Sequence, residues 1–204
     1  MKWACILVAA GSLLAADGPT LFYSKSFPGS TPAYVGITLS KSGDVTYREA
    51  PDEGDPLKFP IKEMETREIF GLVEKVGWFK RPLESPAKVA FMGTKTFRLD
   101  DGADKAEVKF NYTTDASAQA LADWFERISE TAQRRIDLER AIKYDKLGVV
   151  QSLLELEIAL DKKRLVGAEQ FLPLLDRIMA NESYMHTAQS RAGEIESLIR
   201  NPKP

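Results

Sequence analysis

The sequence has few of the side chains on which most catalytic and metal sites depend. It contains one cysteine, Cys5, and one histidine, His186, among 204 residues. Zinc sites usually draw several ligands from cysteine and histidine, and nucleophilic catalysis by serine or cysteine needs an adjacent base. The sequence also lacks a nucleophile-elbow motif and a glycine-rich phosphate loop with its lysine. We therefore predict no catalytic, metal-binding or cofactor-binding residue, and we place His186 on a solvated helix surface.

An excess of charge of either sign is also missing. Lysine and arginine number 28, aspartate and glutamate 30, and the formal net charge is -2. Nucleic-acid binding requires a concentrated basic surface that neutralises phosphates. The short basic runs at residues 134–135 and 162–164 are more typical of solvated helix faces. Nucleic acid is therefore excluded as a predicted partner.

Long apolar runs are absent after the first residues. One lysine precedes an apolar run from Trp3 to Leu14, and small residues follow it. This order is typical of a secretory signal peptide, and the run is shorter than the roughly 20 residues of a membrane-spanning helix. We predict cleavage near Ala16, a secreted or periplasmic location, and no transmembrane segment after removal of the leader. Cys5 would leave with the leader, so the mature protein would have no disulfide.

The chain after the leader alternates between strand and helix patterns. Apolar residues with a period of two predict strands at 21–27, in a hairpin across 33–47, and at 57–61, 89–99 and 106–112. Apolar residues at helical spacing predict a helix over 62–79 that stops at Gly77. A second helix is predicted to start at Thr114 or Asp115, both good N-caps.

The remainder of the sequence has helical periodicity. Apolar stripes include Val149 to Leu160, Phe171 to Ile178, and Met185, Ala188, Ala192, Ile195 and Ile199. Three or four amphipathic helices with short breaks predict a helical hairpin or small bundle, with self-association through these helices. The complete prediction is an α+β fold, with an antiparallel sheet of two hairpins crossed by helices and followed by an all-helical region. Its divisions are a signal peptide at 1–16, the hairpin-helix domain at 17–114 and the helical region at 115–204.

The stretch "TPAYVGITLSKSGDVTYRE", followed by a helix ending in "VGWF", resembles the start of small uncharacterised bacterial secreted domains. That resemblance covers about the first third of the mature chain and implies no known activity and no functional residue. The order of hairpin and helix is also similar to that of secreted proteins that inhibit β-lactamases, a similarity of architecture alone. A second motif, "ADWF", in the next helix indicates a duplicated hairpin-helix unit. One sheet with two helices across one face is the alternative interpretation.

Three aspartates, Asp100, Asp101 and Asp104, surround Gly102 in "FRLDDGADKAEVKF". A helix-loop-helix calcium site needs glycine at its sixth position and glutamate at its twelfth. Counted from Asp100, the glycine comes too early and the twelfth position is an asparagine. Strand alternation on both sides predicts that Asp101 and Gly102 form a hairpin turn.

The function predicted from these patterns is a non-catalytic secreted or periplasmic module that binds an unknown protein or small ligand of the cell envelope. Its predicted interaction surface comprises Tyr34, Tyr47, Asp100, Asp101 and Asp104, although both tyrosines also fit core or sheet packing. One alternative is an envelope hydrolase with a carboxylate pair. The candidate pairs are Glu63 with Glu65 and Glu155 with Glu157. Another is a secreted enzyme inhibitor that presents an exposed hairpin loop with a rim of aromatics.

Overall fold

The computed structural model describes residues 18–102 and 104–202, and the predicted leader at 1–16 lies outside them. Six strands form one antiparallel sheet in the order β4-β3-β2-β1-β5-β6. They are β1 (Thr20–Ser26), β2 (Tyr34–Leu39), β3 (Asp44–Arg48), β4 (Leu57–Pro60), β5 (Thr94–Asp101) and β6 (Asp104–Phe110).

The helices, in chain order, are α1 (Glu63–Lys75), α2 (Ala116–Tyr144), α3 (Val149–Asp161), α4 (Leu172–Met179) and α5 (His186–Arg200), with a 3₁₀ turn at Ala168–Phe171. This arrangement confirms the predicted α+β fold and its helical C-terminal part. In the described part of the chain, no helix combines the length and the apolarity needed to cross a bilayer. Asp115 is the N-cap of α2, as predicted, because its carboxylate accepts the Ala118 amide at 3.0 Å.

One face of the sheet packs against the helices. The side chains on this face come from alternate residues of each strand. Tyr23 on β1 lies opposite Ile37 on β2 and Phe97 on β5, and all three are buried. The core that they form with α1 and α2 continues along α2 as far as Ala132. The side chains that face the helices are therefore apolar, whereas the alternate side chains form an open face that is mainly polar.

A second apolar cluster begins in the same helix. It starts at Leu138 on α2 and includes the inward faces of α3, α4 and α5. With 29 residues, α2 is about 43 Å long, so one helix contributes to both cores. The predicted division at residue 115 coincides with the start of α2, whereas the two clusters separate between residues 132 and 138.

Thr131 connects the middle of α2 to the segment after α3, where the Val166 side chain belongs to the first core. Its side chain is fully buried, donates to the Arg127 carbonyl at 2.8 Å and accepts the Val166 amide at 3.0 Å. We expect Thr131→Val to lower the free energy of unfolding by about 1–3 kcal/mol, because the buried Val166 amide loses its acceptor. Thr131→Ser, which keeps the hydroxyl, should retain most of the stability. Urea denaturation of both variants checks this, and equal losses would contradict it.

The start of β5 and the position of Met185 differ from their predictions. β5 begins at Thr94, not at Val89, because residues 82–93 form a loop that the Asn111 side chain holds by accepting the Met92 amide and donating to the Ala90 carbonyl. Met185 does not face inward with the stripe of α5. It is the N-cap residue of that helix and is 48% exposed, whereas the other predicted stripe residues are buried.

Candidate functional site

Tyr34 lies on the open face of the sheet and is half-buried. Its ring covers Gly36, where an added Cβ would lie only 2.7 Å from the tyrosine hydroxyl oxygen. Burial raises the pKa of Tyr34, while Ser24 and the positive charges of Arg48 and Arg98 act in the opposite direction. Tyr34 therefore occupies a polar, cationic region of the sheet surface.

Tyr47 lies on the other face of the sheet and belongs to the core, with 1% of its surface exposed. Its hydroxyl donates to Glu49 Oε1 at 3.0 Å and accepts weakly from Gln133 Nε2 at 3.4 Å. Of the two interpretations given for Tyr47, packing is the one that the structure favours. The ring is not available to a partner, because its strand position points it at the helices.

The three aspartates form the end of the β5–β6 hairpin. Asp101 pairs with Asp104 in the last step of the ladder, so the chain reverses between them, as predicted. Asp100 accepts the Gly102 amide at 3.2 Å and forms an ion pair with Lys105 at 2.8 Å, and the hydrogen bond from Lys105 lowers the pKa of Asp100. These contacts are those of a turn.

The predicted interaction residues do not form one patch. Asp100 lies opposite the first residue of β1 and Tyr34 opposite the last. Six residues of strand separate these ends, which corresponds to about 20 Å. Since Tyr47 is on the opposite face, the five residues are divided among three places.

The carboxylate pairs considered from the sequence do not converge either. Glu155 forms an ion pair with Arg134 of α2, whereas Glu157 faces Arg191 of α5. Glu63 is highly exposed, and the Glu65 carboxylate accepts the Lys62 amide at 2.7 Å as part of a capping box. For the inhibitor alternative, Phe91 is an exposed aromatic in the described chain, but it lies in the loop before β5 and not in a hairpin.

A polar cavity lies between the β1–β2 loop and α2, and we call it the α2 cleft. It has a volume of about 380 Å³. Its walls include Tyr23 and Lys25 of β1, Glu126 and Glu130 of α2, and Arg164. Positions 126, 129, 130 and 133 all line it, since residues three and four apart share one face of a helix.

Tyr23 lines the α2 cleft from within the core. The residue is 1% exposed, and its hydroxyl has no hydrogen-bond partner among the described residues. Its ring stacks on Phe125, with centroids 4.7 Å apart, which fixes its position. Burial raises the pKa of Tyr23, and the negative charge of Glu126 adds to this. The hydroxyl therefore stays protonated at neutral pH, and its proton has no acceptor among the described residues.

Side chains of both charges line the same cleft and form ion pairs. Lys25 Nζ lies 3.6 Å from Glu126, and Arg164 lies 3.0 Å from Glu130 and 2.6 Å from Asp123. The side chains of Lys25, Glu126, Glu130 and Arg164 are all 30–45% exposed, so water reaches them. Chemically, the cleft offers one buried donor and alternating charges that a ligand can share.

The sequence prediction missed this cleft. Tyr23, Lys25 and Arg164 come from distant segments, and only the fold brings them to α2. One signal was available: the polar side chains at 126, 129, 130 and 133 form a stripe on α2, next to the apolar stripe that faces the sheet. Such a stripe could have suggested a polar site beside the core.

The comparisons with known proteins name no family. No family model matches this chain, and no curated protein matches it significantly. The resemblance to small bacterial secreted domains, and the analogy with inhibitors of β-lactamases, thus stay predictions. The function has to be argued from the residues of the α2 cleft.

Proposed function

We propose that this chain is a non-catalytic, exported binding protein that holds a small zwitterion, an amino acid or a short peptide, in the α2 cleft. The observation that carries this proposal is the buried Tyr23 hydroxyl without a partner. A buried polar group that makes no hydrogen bond costs about 1–3 kcal/mol. A ligand oxygen that accepts from this hydroxyl would remove that cost, which accounts for a tyrosine here in place of phenylalanine.

The charges of the cleft suggest the class of ligand. Lys25 and Arg164 supply positive charge, and Glu126 and Glu130 supply negative charge within the same walls. A zwitterion can place its carboxylate against the cations and its ammonium against the carboxylates without changing the net charge of the site. The cavity volume of about 380 Å³ is at the small end of the usual range for ligand sites.

The same contacts favour binding over catalysis. A general acid or base needs a pKa near the working pH, which proteins obtain by burial or by like charges. Glu126 and Glu130 instead face cations and are 45% and 35% exposed. The histidine His186 lies at the start of α5 and is not among the cleft residues.

Export is supported by the charged, apolar and small-residue order of residues 1–16. Expression of the full chain in a secreting host, followed by N-terminal sequencing of the envelope fraction, tests this part separately. A mature protein that begins near Asp17 would support export. An uncleaved protein in the cytosol would remove the secretion part of the proposal and leave the binding part standing.

The binding part is tested by ligand screening with NMR. We would titrate ¹⁵N-labelled protein with the twenty common amino acids and a set of dipeptides, each with its N-acetyl and its decarboxylated analogue as matched controls. We expect one ligand to shift the amide resonances of Lys25, Ser129 and Gln133. Its two analogues should bind at least about tenfold more weakly. Shifts elsewhere, or analogues that bind equally well, would contradict the proposal.

We also propose self-association at the end of the helical region. Tyr144, Leu147 and Met185 are 73%, 74% and 48% exposed. Lys146 Nζ donates to Ser183 Oγ at 3.0 Å, which places the α2–α3 turn beside the segment before α5. We place the interface on these three exposed apolar side chains.

The corresponding prediction concerns Leu147→Glu. We expect multi-angle light scattering to give a dimer mass for the wild type at high concentration and a monomer mass for the variant, because the charge cannot be buried in an apolar contact. Ile158→Glu, on the outer face of α3 and 43% exposed, is the matched control and should remain dimeric. A monomeric wild type would refute this proposal.

A further inference from the structure

A second cavity, of about 570 Å³, lies where the start of α1, the end of α3 and the end of α5 meet. We call it the Arg127 pocket. Its apolar walls are the side chains of Met64, Leu160, Leu165, Leu198 and Ile199. It shares no lining residue with the α2 cleft.

Arg127 projects from α2 into this pocket with an incomplete set of partners. Its Nε is buried and makes no hydrogen bond to any described residue, and no ion pair within that part of the chain involves it. The guanidinium packs on the Trp124 ring, 4.1 Å from its centroid, which fixes its orientation. A desolvated guanidinium edge is costly unless an acceptor faces it.

The other charged groups of the pocket do not meet this need. Lys62 and Glu169 form an ion pair at 2.7 Å. The Glu65 carboxylate accepts the Lys62 amide at 2.7 Å and lies 3.4 Å from the Gly167 amide, and burial raises its pKa. Asp161 and Lys163 are both exposed and of opposite sign at the rim. Glu65 thus has two backbone amides as partners, whereas the Nε of Arg127 is the polar atom of this pocket that lacks one among the described residues.

We propose that the Arg127 pocket binds an apolar monocarboxylate of the fatty-acid class. The carboxylate would accept from the guanidinium of Arg127, which is the usual bidentate partner of carboxylates, and the hydrocarbon chain would lie among the leucines. An apolar wall with one convergent charged group is the general pattern of a small-molecule site. This inference is independent of the α2 cleft.

Isothermal titration of the purified mature chain with decanoate tests the inference, with decanol as the control that lacks the charge. We expect decanoate to bind with one-to-one stoichiometry and decanol to bind at least about tenfold more weakly. Arg127→Gln should lower the affinity for decanoate by about tenfold or more. Arg140→Gln, which removes an exposed charge from the same helix, should leave binding unchanged.

Two further variants keep the test decisive. Leu198→Trp, which fills the pocket from a half-exposed position, should abolish decanoate binding even if Arg127→Gln proves unstable. Tyr23→Phe should bind decanoate like the wild type, because Tyr23 lines the other cavity. Equal affinity for decanoate and decanol, full binding by Arg127→Gln, or no binding of decanoate would each overturn the inference.

Discussion

Replacement of Phe97 by alanine is expected to lower the free energy of unfolding by about 3–5 kcal/mol, the usual cost of removing a buried phenyl ring. Phe97 is fully buried on β5. Its ring has four aromatic neighbours, Tyr23, Phe79, Phe110 and Phe125, with centroids 5.3 to 6.0 Å away. These four rings come from two strands, the segment after α1, and α2, so the cavity left by alanine would be difficult to close.

Phe91→Ala provides the matched control. It removes the same ring from the loop before β5, where the side chain is 56% exposed. We expect its effect to be about 0.5 kcal/mol or less, since surface substitutions seldom cost more. Guanidinium denaturation of both variants gives the comparison, and similar losses at the two positions would contradict the assignment of the core.

Replacement of Tyr23 by phenylalanine is expected to raise the free energy of unfolding. The variant removes a buried hydroxyl that has no partner and leaves the ring stacked on Phe125. We expect the unliganded protein to gain about 1–3 kcal/mol of stability, which is the cost of an unsatisfied buried polar group. Thermal and urea unfolding of the purified protein would measure the gain.

The control for this variant is Tyr47→Phe. Tyr47 is equally buried, but its hydroxyl donates to Glu49. Removing a hydroxyl that is hydrogen-bonded should cost about 0.5–1.5 kcal/mol. A loss of stability in both variants would mean that Tyr23 already has a partner, such as a bound water, and the α2 cleft would lose its main argument.

The sequence predicted those parts of the fold that local physics determines. The period of two along β1 to β3, the left-handed conformation of Gly77 after α1 and the Asp115 N-cap all act within a few residues, and all are found in the structure. The Asp101–Gly102 turn was predictable for the same reason. The start of β5 could not be predicted in this way, because the loop before it is held by Asn111, a residue 19 positions from Met92.

The candidate sites depend on contacts between distant parts of the chain. Arg164 meets Glu130 across 34 positions, and the Val166 amide meets Thr131 across 35. No local pattern marks such pairs, so the polar stripe on α2 could indicate a site beside the core but not the residues from other segments that complete the α2 cleft. The separation of Tyr34 and Tyr47 also depends on strand pairing, since Tyr47 pairs with Ile37, whose side chain points to the face opposite that of Tyr34.

The most direct test of the proposed function is calorimetric titration of the best zwitterion from the screen into the wild type and into Tyr23→Phe, side by side. The account predicts that the more stable variant binds at least about tenfold more weakly, because the ligand carboxylate loses a buried charge-assisted hydrogen bond. Equal affinity for the two proteins would contradict the claim that this hydroxyl recognises the ligand.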